Sequence, residues 1–372
     1  MIRSEDGRTP LFRLLGLVTA LALLAAACGS SSDEAGSDAA AGNDVGAEEA
    51  AGDDGAGDDG AEDDAVVSGE TITLGYSAWP GWFPLAVAEE QGLFAEAGVN
   101  VELVFFADYL GSLDAMAAGQ LDGNTQTLND TMFGVAAGDE QVIVVTNDNS
   151  AGNDAIICDE SVTSIEDLAG RTVAAEAGVV DHFLLLQGLN SVGLTEADVD
   201  FRGVLTDAAA AAFAAGEFDC VGVFAPFTVQ ALERPGSKVL FSSADFPGTI
   251  SDHIVVTPEL IAERPEDVQK LVDAWYLTLE WIEANPDEAL AIMSAAAELT
   301  PEEYAELAGG TRIFTAEEAL ASFGDADDVS SLMFVAELIN PFLVESGLTE
   351  QEAPLDGLFD GSFTQAYVEA AG

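Results

Sequence analysis

Positive charge is scarce in this sequence. The chain has 372 residues, with only 10 Lys and Arg against 68 Asp and Glu, so its formal net charge is −58 at pH 7. Such a surface repels DNA, RNA and anionic lipid headgroups, and we expect no nucleic-acid partner. A solvated acidic surface explains the charge, and adaptation to high salt is a second interpretation, since salt screens the self-repulsion.

Histidine and cysteine are also rare, with two and three residues. His182 and His253 have no metal-ligand spacing and no Ser or Cys partner motif, and the chain has no glycine-rich phosphate loop. We therefore predict a protein without metal or cofactor that is not an enzyme. Cys158 and Cys220 lie in predicted strands, where we expect buried free thiols in preference to a disulfide.

The N-terminus has the pattern of an export signal. Arginines precede an apolar run over residues 14–24, which is too short to span a bilayer. The segment Leu24-Ala25-Ala26-Ala27-Cys28 resembles a bacterial lipoprotein cleavage site. We predict a signal peptide at 1–27 and a lipid on Cys28 that anchors the protein to the outer face of the cell membrane. Because Ala25 stands where that pattern prefers Leu, cleavage by an ordinary signal peptidase stays open.

The next segment predicts a tether. Residues 31–64 consist almost wholly of Gly, Ala, Ser, Asp and Glu and contain no aromatic or basic residue. They cannot bury enough apolar surface to fold, and repulsion among their carboxylates favours an extended chain. We assign residues 28–65 to the lipidated cysteine and a disordered acidic tether.

From residue 66 onward, strand and helix patterns alternate, which predicts an α/β fold with mainly parallel sheets flanked by helices. Ile72, Leu74 and Tyr76 alternate as a first strand, and residues 142–145 form an apolar strand. The strand near residues 254–257 is expected to return to the first part of the fold. The predicted domains are therefore lobe 1 at 66–157 and 248–372 and lobe 2 at 158–247, with two hinge crossings.

Several ordered motifs carry a family resemblance. They are Gly75-Tyr76-Ser77-Ala78-Trp79-Pro80-Gly81-Trp82, Gly92-Leu93-Phe94, Ala118-Gly119-Gln120-Leu121-Asp122 and Gly216-Glu217-Phe218-Asp219. Together they resemble the nitrate/sulfonate/taurine class of ABC-importer binding proteins. The resemblance implies a two-lobed periplasmic-binding-protein-like fold of type II that closes on a small solute and delivers it to the permease subunits of an ABC importer. Phe224-Ala225-Pro226 departs from it, because many relatives carry Glu before that proline.

Candidate ligand contacts lie where predicted strands end and helices begin, the usual binding edge of open α/β sheets. The candidates are Ser77, Trp79, Trp82, Asn124, Thr125, Gln126, Asn129, Asp148, Ser150, Asp154, Asp181, His182, Asp207 and Phe224. For one of the two tryptophans, packing is the alternative role. For residues 124–129, His182 and Asp207, helix capping is the alternative role. The backbone amides of residues 178–182 are expected to hold an anion at a helix start.

The nature of the solute follows from charge. No basic residue falls in the predicted site segments, so a multiply charged anion lacks a bidentate partner. A zwitterion such as an aminosulfonate, with its ammonium near Asp148 or Asp154, fits better than a phosphate. A neutral or cationic nitrogen compound, such as a thiamine-pyrimidine-like molecule, is the alternative. We predict a monomer. An enzyme on the same two-lobed fold and a surface scaffold lipoprotein are the competing classes.

Overall fold

The computed structural model describes residues 69–372. The predicted signal peptide, the lipidation site at Cys28 and the whole acidic tether lie outside the described residues. Within 69–372, no helix combines the length and the apolar character needed to cross a membrane.

Eleven strands and fourteen α-helices alternate along the described chain. The strands are β1 (Ile72–Ser77), β2 (Val101–Phe106), β3 (Gly123–Thr127), β4 (Val142–Ser150), β5 (Asp154–Cys158), β6 (Thr172–Ala175), β7 (Asp200–Gly203), β8 (Cys220–Phe224), β9 (Lys238–Ser242), β10 (Ser251–Val256) and β11 (Thr311–Ile313). The helices are α1 (Pro84–Glu90), α2 (Leu93–Ala97), α3 (Tyr109–Ala117), α4 (Leu128–Ala137), α5 (Val180–Ser191), α6 (Thr206–Ala214), α7 (Phe227–Leu232), α8 (Pro258–Glu263), α9 (Pro265–Ala284), α10 (Pro286–Ala296), α11 (Pro301–Ala308), α12 (Ala316–Ser322), α13 (Leu332–Glu345) and α14 (Ser362–Ala371).

The strands form two sheets. One has the order β11-β4-β10-β3-β1-β2 and the other β7-β6-β8-β5-β9. We expected mainly parallel sheets, and this was wrong in detail, because both sheets are mixed. β10 lies antiparallel to β3 and β4, and β5 lies antiparallel to β8 and β9. β5 and β10 are the first strands after the chain passes from one sheet to the other. Each runs antiparallel to the strands on both sides of it.

The chain crosses between the sheets at two places, after β4 and after β9. The crossings are tied together by side chains, since the hydroxyls of Ser150 and Ser243 are 2.7 Å apart and the Gly152 amide donates to Ser243 Oγ at 2.8 Å. Asn153 Nδ2 donates to the Leu307 carbonyl at 2.8 Å. The backbone at both crossings is therefore held by hydrogen bonds to neighbouring elements.

Sequence signals explain the helices that cover the first sheet. α1 has proline in its first turn, and Gly92 after it adopts φ 68°, which only glycine tolerates readily. In α9 the apolar side chains recur at helical spacing, and Trp275 and Tyr276 are almost fully buried. The apolar face of α9 therefore forms part of the core.

Two polar segments that we expected where strands end lie inside strands. Residues 124–126 lie inside β3 and residues 147–150 inside β4. Their side chains are polar, yet strand partners on both sides satisfy the backbone, and hydrogen bonds satisfy many of the side chains. Polar side chains are usually a sign of exposure, whereas every residue of the two segments except Asn149 is buried.

The expectation of free thiols was also wrong. Cys158 and Cys220 form a disulfide with a Cα–Cα distance of 4.0 Å. The two residues are direct partners in the antiparallel ladder between β5 and β8, so their side chains leave the sheet on the same face. That pairing depends on strand register, which the sequence does not give.

Candidate functional site

A cavity of about 10 Å³ lies where the two sheets face each other. Its lining comes from both sheets and consists of Trp79, Trp82, Tyr109, Thr127, Asp154, Val180, Phe224 and Asp252. Several of these residues follow the carboxyl ends of β1, β2, β3 and β8. This is the edge where open α/β sheets bind ligands. A volume of this size holds about one water, so a larger solute requires the walls to part.

Four aromatic rings form the apolar wall of the cavity. The ring centroids of Trp79 and Trp82 are 6.4 Å apart, and that of Trp82 is 5.5 Å from Tyr109. Phe224, from the other sheet, lies 6.5 Å from Trp79 and 6.0 Å from Tyr109 in edge-to-face geometry. The rings therefore contact one another across the gap between the sheets.

Three buried aspartates lie beside this wall. Asp148 on β4 is the ladder partner of Asp252 on β10, and Asp154 is the first residue of β5. All three are at most 1% exposed. Trp79 Nε1 donates to Asp148 Oδ1 at 3.0 Å, while the Oδ2 atoms of all three aspartates have no hydrogen-bond partner. The loop backbone reaches Asp148 only because residue 81 is glycine, since a Cβ there would lie 1.8 Å from Asp148 Oδ2.

Burial makes these carboxyls weak acids. It raises the pKa of Asp148 and of Asp154 from 3.8 to about 7. The pKa of Asp252 is also raised well above its usual range, first by burial and then by repulsion from Asp148 and Asp154. A carboxylate out of water costs several kcal/mol unless it is paired, so each group retains its proton or requires a positive charge.

A fourth buried acid, Asp130 on α4, is saturated with hydrogen bonds. Its carboxylate accepts from Tyr109 Oη and Thr127 Oγ1, each at 2.8 Å, and from Asn129 Nδ2 at 2.7 Å. It also accepts from the backbone amide of Val180 at the start of α5. Asp130 therefore holds the two sheets together and already occupies an amide that we expected to bind an anion.

Several predicted contacts lie at the cavity or against it. Trp79, Trp82, Asp154 and Phe224 line it. Asp148 lies directly behind Trp79 through the indole hydrogen bond. Four more predicted residues are buried close by in the chain: Ser77 ends β1, Asn129 donates to Asp130, Asp181 follows Val180, and Ser150 Oγ accepts from the Asp154 amide at 3.3 Å.

The other predicted contacts lie away from the lining. Asn124 Nδ2 donates to Ser112 and to Gln126, and Gln126 Nε2 donates to Thr131 and Gln141, so both amides support α3 and α4. Thr125 Oγ1 donates to the Gly75 carbonyl at 3.5 Å.

Two predicted ligand contacts, on helices α5 and α6, are surface or packing residues. His182 stacks on Phe201 at 4.3 Å, and its Nε2 lies 2.7 Å from Glu196. Asp207 is exposed and accepts from the Ala208 amide. Their capping and packing roles, which we gave as alternatives, account for these contacts.

Sequence analysis missed three lining residues, Tyr109, Thr127 and Asp252, and included Val180 only through its backbone amide. Tyr109 and Thr127 follow the ends of β2 and β3, so the rule of strand ends could have found them. Asp252 lies at the amino end of β10, and only the antiparallel return of that strand brings it to the cavity.

The chain matches the NMT1/THI5-like family over residues 79–289. This match covers more than half of the sequence, and the chain belongs to that family. The matched segment contains all four predicted lining residues.

Curated relatives and solved structures agree with this family. A binding protein of Brucella abortus is 26% identical over 61% of this chain and 72% of its own, and the taurine-binding periplasmic protein of Escherichia coli is 29% identical over 55% and 64%. The alkanesulfonate-binding protein SsuA from Xanthomonas axonopodis pv. citri, bound to MOPS, superposes with a TM-score of 0.66 at 16% identity over 78% of this chain and 98% of its own. The desulfurization enzyme DSZB shares the fold with a TM-score of 0.58 at 17% identity over 81% and 100%. The predicted periplasmic-binding-protein-like fold and the family resemblance are therefore confirmed.

Proposed function

We propose that this protein is the extracytoplasmic receptor of an ABC importer and captures one small polar solute between its two sheets. The observation that carries this proposal is the cavity whose lining residues come from both sheets. A ligand that contacts both walls stabilises the closed arrangement, as in other two-lobed binding proteins. The lobe boundaries at 157/158 and 247/248 belong to this proposal.

The relatives support a nitrogen- or sulfur-containing solute. Taurine and an alkanesulfonate appear in the names of two similar proteins, and nitrate belongs to the same predicted class. The alternative is a thiamine-pyrimidine-like or other cationic nitrogen compound, which the unpartnered aspartates support.

Binding is supported over catalysis by the chemistry near the cavity. Among residues 69–372, both histidines are engaged elsewhere: His182 with Glu196, and His253 with Ser251 at 2.9 Å. Burial lowers the pKa of His253 to about 3. Cys158 and Cys220 are joined in a disulfide and supply no thiolate.

Native mass spectrometry of freshly purified protein, followed by denaturation, tests this function. We expect a small molecule bound at one copy per chain and saturable heat stabilisation when it is added back. Turnover of that molecule would favour an enzyme. No bound molecule and no heat stabilisation by taurine, alkanesulfonates, nitrate or pyrimidine precursors would favour a scaffold.

The lipid anchor is tested separately. We propose that a lipid on Cys28 holds the receptor at the outer face of the membrane, where it docks as a monomer on the permease subunits. A Cys28→Ser variant should then leave the membrane fraction and retain ligand binding. An unchanged membrane fraction would contradict the anchor and leave the receptor function untouched.

A further inference from the structure

The three aspartates at the cavity have no positive partner in the described chain. Of the seven Lys and Arg residues within 69–372, six form ion pairs with other acids and Lys238 is exposed on β9. None of those pairs includes Asp148, Asp154 or Asp252. These three carboxyls are at most 1% exposed and repel one another, and a hydrogen bond between Asp148 and Asp252 requires a proton on one of the two.

Donors for an anion are few at the same place. The amide of Val180 is taken by Asp130, the Gly178 amide donates to His182 Nδ1, and Trp79 Nε1 is taken by Asp148. Trp82 Nε1 is a buried donor in the lining with no partner, and the Ser77 hydroxyl and the Asn147 Nδ2, outside the lining, are also buried without one. One indole N–H can hold a neutral oxygen of a solute, but it does not balance a sulfonate or nitrate beside buried carboxyls.

The aromatic rings supply the second feature that a cation requires. The side chains of Trp79, Trp82 and Tyr109 line the cavity, and a cation within about 6 Å of the face of such a ring is attracted to it. This attraction adds to that of a carboxylate, since both favour the same charge. Within the described residues, no group of three or more Asp, Glu, His or Cys is arranged to hold a metal ion. Aromatic rings beside carboxyls favour an organic cation.

We propose that the solute carries a positively charged nitrogen, which Asp154 and Asp252 bind directly with Asp148 behind them, while the tryptophan and tyrosine faces cover it. This proposal rests on the receptor function and names its ligand class as a protonated amine, an amidinium or a quaternary ammonium. The positive charge of the solute compensates the negative charge of the buried carboxyls, and Trp82 Nε1 donates to a neutral acceptor atom of the same molecule.

Five probes of different charge test the ligand class. The protein is stripped of bound molecules by unfolding and refolding with its disulfide intact. It is then titrated with choline, benzamidine, taurine, ethanesulfonate and nitrate in a calorimeter and in thermal unfolding. We expect choline or benzamidine to raise the Tm and bind saturably, and ethanesulfonate and nitrate to do neither. Binding of ethanesulfonate or nitrate would overturn the cation proposal and leave the receptor function standing, whereas binding of taurine alone would support it, because the taurine nitrogen is protonated. No effect of any probe would count against both.

Matched variants test the site. Asp154→Asn and Asp252→Asn each remove one charge and retain the shape, and should weaken binding of the cationic probe by roughly 10- to 100-fold. Asp207→Asn makes the same chemical change at an exposed residue away from the cavity and should leave binding unchanged. Circular dichroism confirms the fold of each variant. Equal affinity in all three would overturn the assignment of the aspartates.

Discussion

The buried carboxyl of Asp154 should destabilise the ligand-free protein at neutral pH. In the folded state its pKa is about 7, because burial opposes ionisation, while in the unfolded chain it returns to about 3.8. The folded state therefore binds more protons than the unfolded state between these two values. The stability that this carboxyl contributes is fully present below pH 3.8 and is lost as the pH rises from there through 7.

Asp154→Asn removes this titration. A change from 3.8 to about 7 corresponds to roughly 4 kcal/mol, at about 1.4 kcal/mol for each power of ten in the dissociation constant. The quantity of interest is the free energy of unfolding of the variant minus that of wild type. Relative to its value at low pH, this difference should be larger by less than about 1 kcal/mol at pH 4 and by roughly 4 kcal/mol at pH 8. Relaxation of the site reduces this figure, so the rise with pH is the decisive quantity.

Urea unfolding followed by tryptophan fluorescence measures this difference at pH 5, 6, 7 and 8 on ligand-free protein. Asp207→Asn serves as the control, because its carboxylate is exposed and makes only a local bond to the Ala208 amide. The control should remain parallel to wild type across the series. If the gap between Asp154→Asn and wild type stays constant or shrinks as pH rises, Asp154 is not a buried weak acid and the reasoning is refuted.

Three further predictions concern the same site and the disulfide. Trp79→Phe keeps an aromatic wall but removes the 3.0 Å bond to Asp148, so calorimetry should find binding weakened by roughly tenfold, whereas an unchanged affinity would mean that the bond does not orient the site. A Cys158→Ala/Cys220→Ala double variant opens a loop of 62 residues and should lose roughly 4 kcal/mol in urea unfolding, and a loss below about 1 kcal/mol would contradict a closed disulfide in the folded protein. Binding of a cationic probe at pH 7 should release protons, because the cation favours the ionised forms of Asp148 and Asp154; titrations in buffers of different ionisation enthalpy measure this, and proton uptake would contradict it.

Local signals predicted much of this fold correctly. Alternating Ile72, Leu74 and Tyr76 give β1, proline and glycine bound α1, and the apolar stripe of α9 is buried. Each depends on the period of a single segment, which a sequence contains in full. Trp79 and Trp82 were found by another local rule, that ligand contacts follow the ends of strands, and both are buried.

Properties that depend on register could not be predicted in this way. The disulfide and the Asp148–Asp252 pair both require knowing which residues of two distant strands are opposite each other. The polar residues of β3 misled us for a related reason. Asn124 and Gln126 are buried and bonded to α3 and α4, and nothing in the local sequence distinguishes a satisfied buried amide from an exposed one.

The acidity of this protein has two physical meanings that composition cannot separate. Exposed carboxylates at the surface are screened over about 8 Å at physiological ionic strength, so they affect solubility and contribute little to holding a solute. Asp148, Asp154 and Asp252 are out of water, where screening is weak and an unpaired charge is costly. Under the cation proposal, these three select the charge of a ligand, and the return of β10 beside β4 places Asp148 and Asp252 side by side.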